Sequence, residues 1–329
     1  MKSEKFSNRT VTVLSGGVGG AKLVLGIAQW IPGGHLNVVV NTADDAVFHG
    51  LHVSPDLDTT LYTLAGIVNP QTGWGIGRDT FHALSMLEQY GEETWFRLGD
   101  LDLGTHILRT KLLNEGRKLT EITSRLSKQL GVRTRVLPMT DQRVQTLIKL
   151  GNRWVPFQDY FVLKRWKDPV SEIRFKGIQE AKPTAEVIEA LNKANLIVLA
   201  PSNPVVSILP ILSLRGFKDR LKKTKALKVA VSPFVENRAY SGPARELMEV
   251  VGYQGSSSGL AAFYRGLINL LVIDTRDAGL REKIESLGIN VIVTNTTMRT
   301  ARDKVRLARE ILEASAEMKK SGSVSIRRI

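Results

Sequence analysis

The sequence predicts an α/β protein built on a doubly wound, mostly parallel sheet, and three observations carry that prediction. Short apolar runs alternate with helix-period segments toward both ends of the chain. The first two runs are joined by a glycine loop and a helix, a βαβ start whose crossover should be right-handed. Polar loops follow directly after apolar runs, where an open α/β sheet keeps its ligand crevice. The expected organisation is a Rossmann-like core at residues 1–69 and 181–329, its crevice suited to a ligand, interrupted by an α+β insert at 70–180.

Val11 to Leu14 reads as the first strand, Ser15 to Gly20 as a glycine-rich loop. Ala21 to Trp30 carries Val24, Leu25 and Ala28 at helical spacing and is stopped by Pro32-Gly33-Gly34. Leu36 to Val40 returns as a buried parallel strand. In the insert, Ile122, Leu126 and Leu130 give a helix closed by Gly131, and Val132 to Leu137 alternates polar and apolar residues. Val144 to Leu150, a Gly151-Asn152 turn and Arg153 to Phe157 read as a β-hairpin. The core resumes with a helix at Pro183 to Ala194, proline in its first turn. Strands then fall at Leu196 to Ala200, Lys228 to Val231, Leu270 to Ile273 and Asn290 to Val293. Helices fall at Pro243 to Val250 and Arg276 to Leu287, and Thr300 to Lys319 is a long amphipathic helix with Val305, Ala308 and Leu312 on one face.

The 329 residues suffice for one large α/β domain or a core plus an insert. With 43% hydrophobic and 24% charged residues the composition is that of a globular protein. No run of about 18 apolar residues occurs, so no membrane span is expected. Met1 to Phe6 carries no apolar signal core, and a cytoplasmic location is expected. The absence of cysteine excludes disulfides, thiolate metal sites, cysteine nucleophiles and iron–sulfur clusters. Lys plus Arg is 46 against 32 Asp plus Glu, a formal charge of +14 that attracts anions. Much of the excess lies in Arg215 to Lys228 and Lys319 to Arg328. Only Phe217 interleaves the first run, and no nucleic-acid module is recognisable, so a solvated basic helix is expected there rather than a nucleic-acid partner.

The densest chemistry lies at Asn41 to Asp45, His49-Gly50-Leu51 and Ser54 to Thr60, which set four carboxylates just past a buried strand. Acids crowded there repel one another unless a metal or a cationic substrate neutralises them. The same residues also suit a polar loop with a helix N-cap. Ser15, Gly16, Gly17, Val18, Gly19 and Gly20, with Lys22 just beyond, form a loop whose backbone N–H groups can approach phosphate at a helix N-terminus. The dinucleotide fingerprint wants glycine where Lys22 stands, and the P-loop wants glycine directly before its lysine, so neither fits. A tight turn with close packing and no ligand is the alternative. Ser202-Asn203, Ser232-Pro233 and Thr294 to Thr297 also follow strands, and four polar loops at four strand ends would line one crevice.

The histidines argue against zinc, because His49 and His52 have no third ligand nearby in sequence and no HExxH occurs. Asp100 and Asp102 form a second acidic pair, suited to loop capping or to ligand binding. Trp74, Trp95, Trp154 and Trp166 read as core or hairpin residues, with one able to stack on a flat ligand.

Together these pieces resemble the 2-phospho-L-lactate transferase (CofD) family of coenzyme F-420 biosynthesis. The resemblance is carried by SGGVGGAK at 15–22, NTADD at 41–45, HGLHVSPDLDTTLYTLAG at 49–66, WFRLGDLDLGTHILRT at 95–110, PSNPVVSILPIL at 201–212 and SGPARELM at 241–248. These lie in the family's order over nearly the whole chain, and the two long pieces are specific where the glycine loop alone is not. The resemblance implies transfer of a phospholactyl group from lactyl-2-diphospho-5′-guanosine to the terminal hydroxyl of the deazaflavin Fo. GMP leaves and coenzyme F-420-0 forms, magnesium is required, and a homodimer is expected. Asp58 and Arg97 match positions that contact the deazaflavin, which makes the insert part of the acceptor site. Asp44, Asp45 and Asp58 are the expected magnesium ligands, and one of them could take the hydroxyl proton as general base. Ser15 to Gly20, Lys22, Ser202 and Asn203 are expected to hold the guanosine diphosphate portion. Such a reaction needs positioning and charge neutralisation more than covalent help, and magnesium takes one or two carboxylates plus substrate phosphate.

Two alternatives stay open. Bacterial relatives use a phosphoenolpyruvyl donor and give a dehydro product, and more distant proteins of the same fold are nucleotide-sugar-binding regulators. The pairing of Pro55 to Thr59 with Arg97 matches the transferase type. One departure stands out: where the family usually has a glycine pair after Ser232-Pro233, this chain has Glu236-Asn237. Glycines allow close backbone approach, so the departure weighs against a phosphate contact by that loop. The high basicity is not a family property either.

Overall fold

Seven parallel strands form the central sheet of the computed structural model, which describes residues 6, 8–236, 238–239 and 242–321. Asn237, Ser241, Met1 to Lys5 and most of the basic tail Lys319 to Arg328 lie outside the described residues. The strands are β1 (Val11–Ser15), β2 (Leu36–Val40), β3 (Arg135–Pro138), β4 (Leu196–Leu199), β5 (Leu227–Val231), β6 (Leu270–Asp274) and β7 (Asn290–Thr294). Their order across the sheet is β3-β2-β1-β4-β5-β6-β7. The winding reverses between β1 and β4, which pair directly, Leu14 opposite Leu199. At such a switch point the loops after the two strands diverge and leave a crevice. The doubly wound α/β arrangement expected from the sequence is the one present.

The strands are apolar without alternation because both faces are covered. Leu14, Val39, Ile197 and Leu199 enter one core, while Val13, Val38, Val40 and Val198 enter the other. Two helices pack on the second face beside β1 and β2. These are α1 (Gly17–Ala28), through Leu23, Val24 and Ile27, and α2 (Pro55–Ala65), through Leu57 and Leu61. The C-terminal helix Ala301–Ser321 joins them through Leu307, Ala308 and Ile311, while Val305 is only half-buried.

The segment 70–180 is less separate from the core than the sequence suggests. Its stretch Arg135–Pro138 is the edge strand β3, with Val136 opposite Val38 and Leu137 opposite Val39. Without it, the outer edge of β2 would leave backbone N–H and C=O groups unpaired. The expected hairpin is present as Gln145–Leu150 and Arg153–Pro156, extended by Val170–Lys176 into a three-stranded antiparallel sheet. The stretch expected as a helix at 276–287 begins as a 3-10 turn at Thr275–Leu280, where Asp274 Oδ1 accepts the Arg276 N–H, and only Arg281–Glu285 is α-helical.

Two elements near the site are not apparent from the sequence. Ala46–Phe48 and Leu51–Val53 pair as a hairpin around His49 (φ 50°) and Gly50 (φ 76°), the left-handed pair that a tight two-residue turn requires. Ser54 to Thr60, expected as an acidic ligand loop or a polar loop with a helix N-cap, enters helix α2: Ser54 is its N-cap residue and Pro55 its first residue, and Asp56 and Asp58 fall in its first turn. Proline fits there because its missing N–H has no helical partner in any case, and acids there complement the helix dipole.

Candidate active site

A cleft of about 750 Å³ opens above the carboxyl ends of β1 and β4. The core contributes Gly16 to Gly19, Lys22, Asp44, Asp56, Asp58, Ser202 and Asn203 to its lining. The segment 70–180 contributes aromatic walls, Trp74, Trp95, Phe96, Phe157, Phe161 and Trp166. Trp74 and Trp166 are each 44% exposed, so these tryptophans form the cleft rim rather than the core. Trp166 stacks on Phe161 and Phe161 on Phe157, with centroids 5.0 and 5.3 Å apart. Trp154 does sit in the hairpin, with the Arg174 guanidinium 4.5 Å from its ring centre.

The glycine loop serves packing and leaves donors over. A Cβ on Gly19 would lie 2.5 Å from the Pro201 carbonyl oxygen, and one on Gly20 2.6 Å from Ser202 Oγ. Gly17, at φ 62°, donates its N–H to Asp56 Oδ1 at 2.7 Å, and the Gly16 N–H donates to Ser202 Oγ at 3.0 Å. The N–H groups of Val18 and Gly19, next in the first turn of α1, have no protein acceptor among the described residues. Ser15 and Gly20, expected at the phosphates, lie buried behind the loop and do not line the cleft. Asn203 lines it, but its Oδ1 is committed to capping the Val205 and Val206 N–H groups.

Of the four carboxylates between Asn41 and Thr60, Asp44 pairs with Asp56 rather than with Asp45 or Asp58. The Asn41 amide links the two, donating to Asp44 Oδ2 and to Asp56 Oδ2. Burial, and then the Asp56 charge, push Asp44 well above the usual carboxylate range. Burial also pushes Asp56 up to about 6, against the hydrogen bonds from Asn41 and Gly17. Asp44 Oδ1 is buried with no hydrogen-bond partner among the described residues. Two hard oxygen donors that repel each other, one of them short of a partner, suit a divalent cation such as magnesium. No three His, Asp or Glu side chains converge as a ligand set among the described residues. A cation held by Asp44 and Asp56 would therefore complete its shell from water and substrate phosphate.

Asp45 and Asp58 are engaged elsewhere. Asp45 does not line the cleft; its Oδ2 accepts from Ser54 Oγ at 2.7 Å and lies 3.1 Å from His52 Nε2. Asp58 does line it, and its carboxylate is gripped by the fully buried Arg109. Arg109 comes from α4 (Asp100–Asn114), which follows α3 (His82–Gln89). Asp100 caps α3, accepting the His82 and Ala83 N–H groups at 2.9 and 3.0 Å. Asp102 instead accepts the Tyr62 hydroxyl at 2.7 Å and lies 3.2 Å from His106 Nε2. Burial works to raise Asp102, but His106 and Tyr62 together hold it below the usual range. Sequence reasoning passes over Asp56, Asn41, His106 and Arg109 as site residues. The available signals were the position of Asp56 next to a helix-starting proline and the i, i+4, i+7 spacing of Asp102, His106 and Arg109 on one helix face.

Arg97 lines the cleft with its guanidinium 4.3 Å from the centre of the Phe81 ring. Glu236 sits at φ 52°, a conformation that favours glycine, and its N–H donates to Asp277 Oδ1. Its backbone thus keeps the glycine-type conformation that the usual family residue would adopt without strain. No helix among the described residues is long and apolar enough to cross a membrane.

The chain is similar to proteins of defined activity. A 2-phospho-L-lactate transferase from Methanocaldococcus jannaschii is 40% identical over 307 residues, 92% of this chain and 97% of that protein. One from Methanopyrus kandleri is 40% identical over 316 residues, 94% of this chain and 99% of the relative. In fold, a Bacillus halodurans protein of the upf0052 family superposes with a TM-score of 0.61 at 18% identity, covering 95% of this chain and 99% of its own. Residues 11–311 match the family model for 2-phospho-L-lactate transferase CofD, and the chain belongs to that family of transferases.

Proposed function

We propose that this chain moves the phospholactyl group of lactyl-2-diphospho-5′-guanosine to the terminal hydroxyl of the deazaflavin Fo, forming coenzyme F-420-0 and GMP. The observation that carries this reading is the joining, in one cleft, of aromatic walls from 70–180 with the glycine turn and the Asp44–Asp56 pair of the core. A flat ring fits the walls, and a diphosphate fits the turn.

The residues divide the work by chemistry. The Val18 and Gly19 N–H groups and Lys22 bind phosphate oxygens, and Ser202 Oγ, which accepts from Gly16, has its own O–H to offer as a further donor. Asp44 and Asp56 would hold magnesium, which would supply neutralisation of the diphosphate and of the charge that develops on the phosphoryl and leaving-group oxygens. Trp74, Trp95 and Trp166 enclose the deazaflavin ring, and Arg97 stacks at its edge. Asp58 accepts the hydroxyl proton as the oxygen bonds to phosphorus, the P–O bond to guanylate breaks and GMP leaves.

The test is GMP release by purified protein given magnesium, Fo and lactyl diphosphoguanosine. No GMP at saturating substrates rejects the transfer. The same assay with a phosphoenolpyruvyl donor in competition identifies which acyl group the cleft prefers.

A further inference from the structure

Asp58 is held differently from every other carboxylate of the cleft. Arg109 closes a two-pronged contact on it: Nη1 donates to Oδ2 at 3.0 Å and Nη2 donates to Oδ1. The guanidinium is fully buried and outside the cleft lining, so it does not touch substrate. Its Nε–H is left buried without a partner, while Nη1 also donates to the His52 carbonyl oxygen at 3.4 Å and lies 3.3 Å from His106 Nδ1. Both braces are themselves fixed. The His52 N–H donates to Thr110 Oγ1 at 2.7 Å and its ring meets Asp45, and His106 is buried against Asp102. The role of Asp45 follows from this chain of contacts: it anchors His52, whose carbonyl backs Arg109.

A buried arginine–carboxylate pair carries a desolvation penalty that two apolar side chains would avoid. What it adds is direction. A planar fork fixes the carboxylate plane and aims the remaining lone pairs, which a point charge on a flexible stem does not do. Asp58 lines the cleft, and although both its oxygens accept from Arg109 and Oδ2 lies 3.7 Å from His106 Nδ1, a carboxylate oxygen has a second lone pair to offer.

We infer that Arg109 is a positioning residue for the transfer: it acts through Asp58, holding that carboxylate at a fixed angle toward the acceptor hydroxyl while His52 and His106 brace the guanidinium from behind. This rests on the transfer reading given above. A lysine at 109 would keep the buried charge and lose the fork, so it separates orientation from neutralisation.

Arg109→Lys and Arg109→Ala are measured as full-length proteins with Fo, lactyl diphosphoguanosine and magnesium, alongside thermal melts. Arg109→Lys is expected to melt cooperatively, with kcat lowered at least about tenfold and both KM values within about threefold of wild type, the pattern of an interaction needed beyond ground-state binding. In folded Arg109→Ala, low concentrations of methylguanidinium, but not of ammonium, are expected to restore turnover at least about fivefold, because only the former rebuilds the fork. A wild-type kcat in Arg109→Lys, a loss that merely follows the unfolded fraction, or no rescue of folded Arg109→Ala overturns the inference. Should Arg109→Ala not fold, the kcat and KM of Arg109→Lys decide alone. A wild-type enzyme that releases no GMP rejects the transfer reading and this role with it, whereas an active wild type beside an unimpaired Arg109→Lys rejects only the role.

Discussion

The Asn41 amide nitrogen donates to Asp44 Oδ2 at 3.1 Å and to Asp56 Oδ2 at 3.0 Å. One neutral side chain thereby holds together two acids, one from the loop after β2 and one from the first turn of α2. The repulsion between them is contained rather than removed, and several measurable properties depend on it.

Both acids are shifted upward on folding, Asp56 from 3.8 to about 6. The folded protein thus binds protons more readily than the unfolded chain. The stability contributed by this pair is full below about pH 4 and is lost as pH rises through about 6. For Asp56 alone the loss is on the order of 3 kcal/mol. A divalent cation at the pair should offset it. Magnesium should raise the melting temperature clearly at about pH 7.5 and hardly at about pH 5; an equal effect at both would contradict the assignment.

Neutralising these acids should separate stability from turnover. Asp44→Asn and Asp56→Asn relieve the repulsion, so each should melt no lower than wild type at neutral pH while losing at least about 10²-fold in turnover. Burial raises Asp45 as well, so Asp45→Asn should likewise melt no lower than wild type, but its partners His52 and Ser54 lie outside the cleft and turnover should stay within about tenfold of wild type. Assays and melts on the three proteins decide this together.

The glycine loop should respond by position. Gly19→Ala drives a methyl against the Pro201 carbonyl, a backbone atom that cannot swing aside. It should cost about 1–3 kcal/mol in denaturant unfolding. Gly17→Ala has room for its methyl and suffers only the left-handed backbone, at about 1–2 kcal/mol. If Gly19→Ala proves as stable as wild type, the close fit of the two loops is wrong.

The aromatic rim should bear on one substrate only. Arg97→Ala and Trp166→Ala should each weaken Fo binding about tenfold, the size of a lost stacking or cation–π contact. GDP affinity should be unchanged in the same calorimetric titrations. Equal losses for both ligands would refute the division of the cleft.

Six of the seven central strands are legible in the sequence because parallel strands covered on both faces read as unbroken apolar runs. β3 shows only as the polar–apolar alternation of Val132 to Leu137 inside the expected insert, and its place in the central sheet is set by the open edge of β2, which the sequence does not display. α2 is hidden for another reason: Pro55, Asp56, Asp58 and Thr59 are turn-forming types whose helix depends on burial of Leu57 and Leu61. At the site, the residue types past each strand are readable, but their pairing is not. Asp44 and Asp45 are neighbours in sequence yet reach different partners from one turn. On α2, two positions differ by about 200° around the axis, which sends Asp56 to Gly17 and Asp58 to Arg109.

Asp56 accepts the Gly17 N–H at 2.7 Å, so under the proposed reading the amino end of α1 would already have a tenant when a diphosphate arrives. Two anions would then claim one positive pole, and neither would yield without compensation. A divalent ion would settle the dispute by serving both, and reciprocity would then require that ion and nucleotide each tighten the other's hold. The protein would thus grip either one poorly alone, and departure of the spent guanylate would loosen its metal as well.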